Sequence, residues 1–574
     1  MTTHCGMKNK WLLRLALTFL GAAFCINADA EAIEHRGDRY VIHIDKLELN
    51  GDESLMDILM LCPEFVSHDG TDVLSKYDIR IDNIDINIDR EAFLYHTKAR
   101  ELKTVQICTH TVASKGTDGT NGAIDIQYRK TAADSKVAVQ GSTYGSARVY
   151  TDMVHYNDDQ HFTLSATAVG TTKYRKITQD FGSEITRSAI ENLRLSAKWQ
   201  ITNKDSIQFN LVQSVSDSKD KLYIPDETSL SSIQRDVVFS TTYVRTLNDK
   251  DADLCIEAEY ANSNNDYRGN QGSYSKERIN YTYFNVESNI PLINHKTWLL
   301  VGAEIGYENV WFRGIERTQT MYNDVYVQLD YKHGPWLFSL GDRYRIMSYW
   351  QKPYNVPEHD LWHHTRNHHG YVGSIGYTFS GKHTIQGTFS HKYEMPLVNM
   401  FFTKDYEKNR YQYNTDVYRH LAYVTELKYT YQSKDLVVMG GIQNTNFIEV
   451  ASGNYNLFTI QSSAMWHKGI MRLTLGAAFS HRHDRGDTGT FKTNYNFYQL
   501  KCMPSLNITK DTRLAATLLY ISNREYDIYT PNLYASARLS HFINKHLNVY
   551  ADYRNIAGQK TGNRALVVGA QYTL

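Results

Sequence analysis

The sequence predicts an all-β fold: a 22-stranded transmembrane antiparallel β-barrel with a small N-terminal α+β domain inside it. Three observations lead there. After residue 135 the chain alternates apolar and polar residues with a strict period of two, the pattern of a strand buried on one face. The links between these stretches alternate between short polar turns and longer irregular segments. The 574 residues also include 42 tyrosines but only 9 prolines, rich in a strand former and poor in the residue that interrupts sheets.

Residues 1–30 read as an export signal. Lys8 and Lys10 precede an apolar stretch from Trp11 to Cys25, and Ala28-Asp29-Ala30 supplies a small-x-small cleavage pattern. Met7 is expected to be the start, and the mature chain is expected to begin near Glu31. Phe24 stands where lipidation at Cys25 needs a small residue, which argues against a lipoprotein. No run of 18 apolar residues follows, so no spanning helix is expected. Sixty-two basic and 62 acidic residues give zero formal charge, so no nucleic-acid partner is expected.

Residues 31–50 are expected to form a short periplasmic segment and residues 51–134 the α+β domain. Within it, "SLMDILMLCPEF" (54–65) reads as an amphipathic helix capped by Ser54 and stopped by Pro63. "YDIRIDNIDINID" (77–89) reads as a hairpin turning at Asp82-Asn83, and "LKTVQICTH" (102–110) as a strand. "GTDGTNGAIDIQYRK" (116–130) spaces glycines ahead of a further strand. A phosphate loop would place a helix after them, so that reading fails. Cys62, Cys108, Cys255 and Cys502 form no disulfide scaffold or zinc pattern; Cys62 and Cys108 are either a bridge or two buried thiols.

The barrel is expected over residues 135–574. Ten short turns, from 157–160 to 543–546, and eleven longer links, among them 350–366 and 394–416, separate 22 strands of bilayer-crossing length. The strands are clearest near the end. In "NLYASARLSHF", Leu533, Ala535, Ala537 and Leu539 share a face, and "ALVVGAQYTL" does the same with Leu566, Val568, Ala570, Tyr572 and Leu574. Sandwiches and propellers do not sort their links into short and long. A lumen this wide needs a plug, and the α+β domain is the candidate.

In this order, a helix with Leu61-Cys62-Pro63-Glu64, a hairpin ending in Ile88-Asp89-Arg90, a strand around Val105–Ile107, then Gly116, Gly119 and Gly122 leading into Ala123-Ile124-Asp125-Ile126, the segment resembles the plug of TonB-dependent outer-membrane receptors. The family carries Leu-Pro-Gly and Ile-Asp-Gly at the first two places, so the match departs there. The resemblance implies a receptor in the Gram-negative outer membrane, surrounded by its lipid, that takes up a scarce small solute such as a metal chelate or haem. Its implied partners are TonB and the inner-membrane energising complex, with Tyr40, Val41 and Ile42 of "RYVIHI" as the segment that could couple to them. A monomer with no cofactor and no enzymatic activity is expected. The alternative is a surface or structural barrel that has kept its plug and lost its coupling.

One outer link stands out for chemistry. "NVPEHDLWHHTRNHH" (355–369) gathers His359, His363, His364, His368 and His369 around Trp362, a set that could bind a transition metal or haem iron; otherwise these are solvated loop histidines. Glu257, Glu259, Glu426, Lys428, Asp552 and Arg554 are expected to line the lumen as solvated wall charges. No nucleophile and base fall at a catalytic spacing.

Overall fold

A computed structural model describes residues 33–36, 39–47, 53–60, 62, 77–81, 84–85, 90–108, 122–128, 134–143, 145–157, 161–179, 182–224, 226–247, 252–268, 274–292, 296–312, 315–352, 362–380, 382–394, 402–405, 410–413, 420–433, 435–448, 454–484, 494–522, 532–557 and 564–574. These form a plug and a closed barrel around it.

Strands β1 (Ile33–Arg36), β2 (Arg39–His43), β3 (Tyr77–Ile81), β4 (Ile84–Asp85), β5 (Leu102–Cys108) and β6 (Gly122–Tyr128) build one sheet in the order β1-β2-β5-β6-β3-β4. All pairings are antiparallel except β3 with β6. Helix α1 (Leu55–Leu59) starts where the sequence places it. Ser54 Oγ accepts from the Asp57 N–H at 3.2 Å while the Asp57 carboxylate accepts from the Ser54 N–H at 2.9 Å. Leu55, Ile58, Leu59 and Cys62 are buried as that face requires, together with Ile42, Ile79, Val105, Ile107, Ile124 and Ile126 of the sheet. Helix α2 (Arg90–His96) was not expected; Phe93 and Leu94 carry it into the same core.

Strands β1 and β2 fall within the segment expected at 31–50 and pair into this sheet, with Val41 and Ile42 buried. Pro63, Ile88, Asp89, Gly116 and Gly119 lie outside the described residues, and Gly122 opens β6. Cys62 and Cys108 are separate buried thiols.

The barrel runs from β7 (Lys136–Ser142) to β30 (Arg564–Thr573), each strand antiparallel to its neighbours, and closes where Thr573 meets Lys136 and Val567 meets Ser142. It has 22 strands; the hairpin β20 (Phe402–Asp405) and β21 (Arg410–Tyr413) stands apart in one long link. Short turns gather at one rim, the periplasmic one by the usual rule for such barrels. Two of them use glycine for left-handed backbone, Gly334 at φ +55° and Gly469 at φ +59°.

The wall is inverted relative to a soluble protein. Its exposed residues include Val139, Leu164, Leu195, Phe209, Phe239, Ile305, Val325 and Leu340, while Thr171, Asn192, Arg194, Asn210, Asp324 and Gln328 are buried. An apolar outside over a polar inside is stable only where lipid replaces water, so the barrel spans the outer membrane. Rings band its lower rim. Trp336 meets Phe338 and Tyr377 at 6.0 and 4.6 Å between centroids, Tyr377 meets Phe379 at 6.4 Å, and Phe379 stacks on His383 at 4.9 Å. Such amphipathic rings suit the headgroup level, which accounts for part of the tyrosine excess.

Candidate functional site

Two polar constellations occupy the lumen: the seam that holds the plug, and a shelf of charge on one wall. In the seam, Lys136 at the start of β7 donates to Glu101 at 2.7 Å, with both side chains almost wholly buried. The other Glu101 oxygen accepts from the Lys98 N–H at 3.3 Å, so one carboxylate serves the plug and the wall together. Arg472 on β25 (Met471–Asp484) pairs with Glu53, and Lys501 on β26 (Asn494–Asn507) donates to the Met60 carbonyl. Arg100 donates to Thr573 Oγ1 at 3.3 Å. At the periplasmic rim, Gln432, the last residue of β22 (His420–Gln432), accepts from the Ile33 N–H at 2.9 Å and donates to the Ile33 carbonyl at 3.0 Å.

His96, ending α2, stacks on Tyr150 of β8 (Ala147–Asn157) with centroids 4.9 Å apart. Burial, then the charges of Arg148, Lys98 and Lys136, hold its imidazole well below the ordinary histidine range, against a hydrogen bond to Gln571 that works the other way. Tyr128 of the plug is pushed well above the ordinary phenol range by burial and by Glu101 and Asp152. On the wall, Val212, Val437 and Met439 join the plug's apolar core, and Val238, Met465 and Met503 pack against it. Among the described residues, polar groups fix the plug at specific points beside this apolar patch.

The shelf lies at mid-height on β14 (Tyr274–Leu292), β15 (Thr297–Phe312), β16 (Ile315–His333) and β17 (Trp336–Lys352). In "GDRYRIMSYW" (341–350), Arg343 and Arg345 are two residues apart and so face the lumen together. Asp324 accepts from Arg343 Nε at 2.6 Å and from Arg345 Nε at 2.6 Å, and Glu304 pairs with both guanidiniums. Beneath them Tyr326 and Tyr322 lie flat, with Arg343 over one ring at 5.0 Å and Arg345 over the other at 4.3 Å. The rings can lie flat because Gly302 and Gly306 are directly opposite them in register; a Cβ on either would come within about 2 Å of a ring atom. Tyr326 also donates to Asn285 and Glu287, each at 2.9 Å. Asp324 and Glu304 balance the two arginines, so the centre of the shelf is neutral and closely tied together.

The histidine set is rearranged. Trp362 to Phe379 form β18, so residues 362–369 belong to the wall and not to a loop. Neighbours on a strand face opposite ways. His368 is buried in the lumen, 5.2 Å from the ring of Tyr393, whereas His369 is on the outer face beside Asp342 at 3.5 Å. These two cannot ligate one ion, and no group of three metal-binding side chains occurs among the described residues. His359 and the side chains of Trp362, His363 and His364 lie outside the described residues. Tyr40, Val41 and Ile42 sit in β2, paired with β1 on one edge and β5 on the other, so neither edge is open in this state. Of the expected wall charges, Glu426 and Lys428 form a pair at 3.2 Å, and these two and Asp552 are buried and not solvated as expected.

Comparison with known proteins finds no matching family model and no matching curated protein by sequence. Solved structures do match in fold. The copper transporter OprC superposes with a TM-score of 0.70 at 8% identity, over 94% of this chain and 100% of that one. The siderophore receptor PiuA from Acinetobacter baumannii gives 0.66 at 11% identity, over 95% and 92%. The alcaligin outer-membrane receptor FauA from Bordetella pertussis gives 0.64 at 10% identity, over 96% and 99%. The chain has the plugged-barrel fold that these receptors share, over 94–96% of its length.

Proposed function

We propose that this protein is an outer-membrane receptor that takes up a scarce solute, a metal chelate or haem being the favoured class, in a TonB-dependent manner. The observation that carries the reading is the seam. A plug meant only to seal the lumen would be fixed most firmly by a continuous apolar interface. This one is held by a few buried ion pairs and hydrogen bonds, Glu101 to Lys136 and Glu53 to Arg472 foremost. Polar contacts can be exchanged for water as a plug rearranges, whereas an apolar interface would expose its whole area at once. The siderophore and copper specificities in the names of structurally similar proteins support the choice of solute class.

Of the six residues from the histidine-rich stretch, His368 is the described one on the lumenal side, where an incoming solute would pass. Coupling through Tyr40, Val41 and Ile42 would require β2 to leave its sheet, since both its edges are occupied. The test is growth with iron supplied only as a ferric chelate, or as haem, in strains lacking this protein or lacking TonB. Loss of growth in both strains on the same source supports the reading. If neither deletion affects growth on any such source, the barrel is a non-transporting surface protein.

A further inference from the structure

We infer that Gln432 is a latch: its carboxamide stands in for a β-strand on the open edge of β1 and holds the N-terminal hairpin β1–β2 against the barrel rim. β1 is the terminal strand of the plug sheet, with β2 on one side only. An edge strand presents backbone donors and acceptors to whatever lies beside it. Ile33 offers both of its groups in that direction, and Gln432 meets both, accepting from the N–H at 2.9 Å and donating to the carbonyl at 3.0 Å. A primary carboxamide suits this role, because it carries an acceptor and a donor spaced like those of a peptide group. In an antiparallel pair, residues alternate between facing the partner and facing away. With Ile33 turned outward, Glu34 is turned toward Val41, its partner on β2.

The latch is anchored on rigid ground. Gln432 is buried, its N–H donates to the Lys382 carbonyl at 3.0 Å across the neighbouring turn, and it ends a wall strand. Nothing in it is charged, unlike the rest of the seam. Glu53, just ahead of α1, and Glu101, just ahead of β5, are tied to the wall by buried charge-assisted contacts, the stronger kind. The contact between Gln432 and β1 is two neutral hydrogen bonds, each far cheaper to break. β1 should therefore leave the rim first, while β2 keeps its ladder with β5 and the rest of the plug stays docked. This inference takes its physiological meaning from the uptake reading, but the contact can be tested without any solute.

The experiment is amide hydrogen exchange on the purified full chain in detergent, comparing the wild type with Gln432→Met, which keeps the length and loses both bonds, and with Gln432→Glu, which keeps an acceptor and loses the donor. Exchange in residues 33–36 should accelerate about thirtyfold in Gln432→Met, the equilibrium equivalent of two hydrogen bonds, and by less in Gln432→Glu. Exchange in β5, β6 and β23 (Leu436–Ile448) should not change, and β23 reports that the barrel has folded. Unchanged exchange in 33–36 in both variants overturns the latch. Acceleration of the whole plug together overturns the separate release of β1. Uptake assays with the same variants address the transport reading separately, since slow exchange can persist whether or not the protein transports.

Discussion

Replacing Lys136 with methionine is the sharpest test of how the plug is held. The Lys136 ammonium lies 2.7 Å from Glu101 in a buried place, where both side chains are almost wholly shielded from water. Methionine keeps the stem and removes the charge, leaving Glu101 with only its bond from the Lys98 N–H. Stranding a buried charge in this way costs about 3–5 kcal/mol, against at most about 1 kcal/mol for an exposed pair. At 1.4 kcal/mol per tenfold, the ratio of docked to undocked plug should fall by a factor between about 100 and several thousand. Protease cleavage of the plug in increasing urea, with the barrel intact, reads that ratio, and ion conductance across a planar bilayer reads the leak it opens. Adding Glu101→Gln to Lys136→Met should recover more than half of the loss, because the stranded charge is then gone. A loss below about 1 kcal/mol for the single variant, or no recovery in the double, would mean that water reaches this pair and that the seam is not the polar lock described above.

His96 gives the plug a pH dependence. Its neutral form is the buried one, so only the undocked plug binds the proton readily; docking is undiminished above about pH 6.5 and weakens as pH falls below it. The urea midpoint of plug release, measured from pH 8 to 5, should show this fall in the wild type and show less of it in His96→Phe. Gly302→Ala should destabilise the barrel by about 1–3 kcal/mol, since the new Cβ would meet the Tyr326 ring at 2.2 Å, whereas Gly373→Ala, with open space around it, should be near neutral in heat-modifiable gel migration. Single cysteines at Glu358 and Lys545 should separate the two rims: a membrane-impermeant thiol reagent on whole cells should label the first and not the second, and the reverse pattern would turn the barrel over.

Much of the architecture was legible in the sequence because alternation is local. Each strand records its own lipid and lumen faces, so "NLYASARLSHF" and "ALVVGAQYTL" declare themselves without their neighbours, and Ser54 with Asp57 declares the start of α1. The side that each residue faces is also local, yet a dense run of histidines at 363–369 hid it, and the strand separates His368 from His369. What only the tertiary structure decided is which side chains meet across strands and between the plug and the wall. Arg343 and Arg345 announce a shared face, but their neutralisation by Asp324 and Glu304, over rings seated on Gly302 and Gly306, depends on the register of three strands. The seam depends on still more distant pairings, Ile33 with Gln432 and Glu53 with Arg472, about 400 residues apart. No period in a sequence encodes such meetings, because they follow from how a closed sheet brings its two ends and its enclosed domain together.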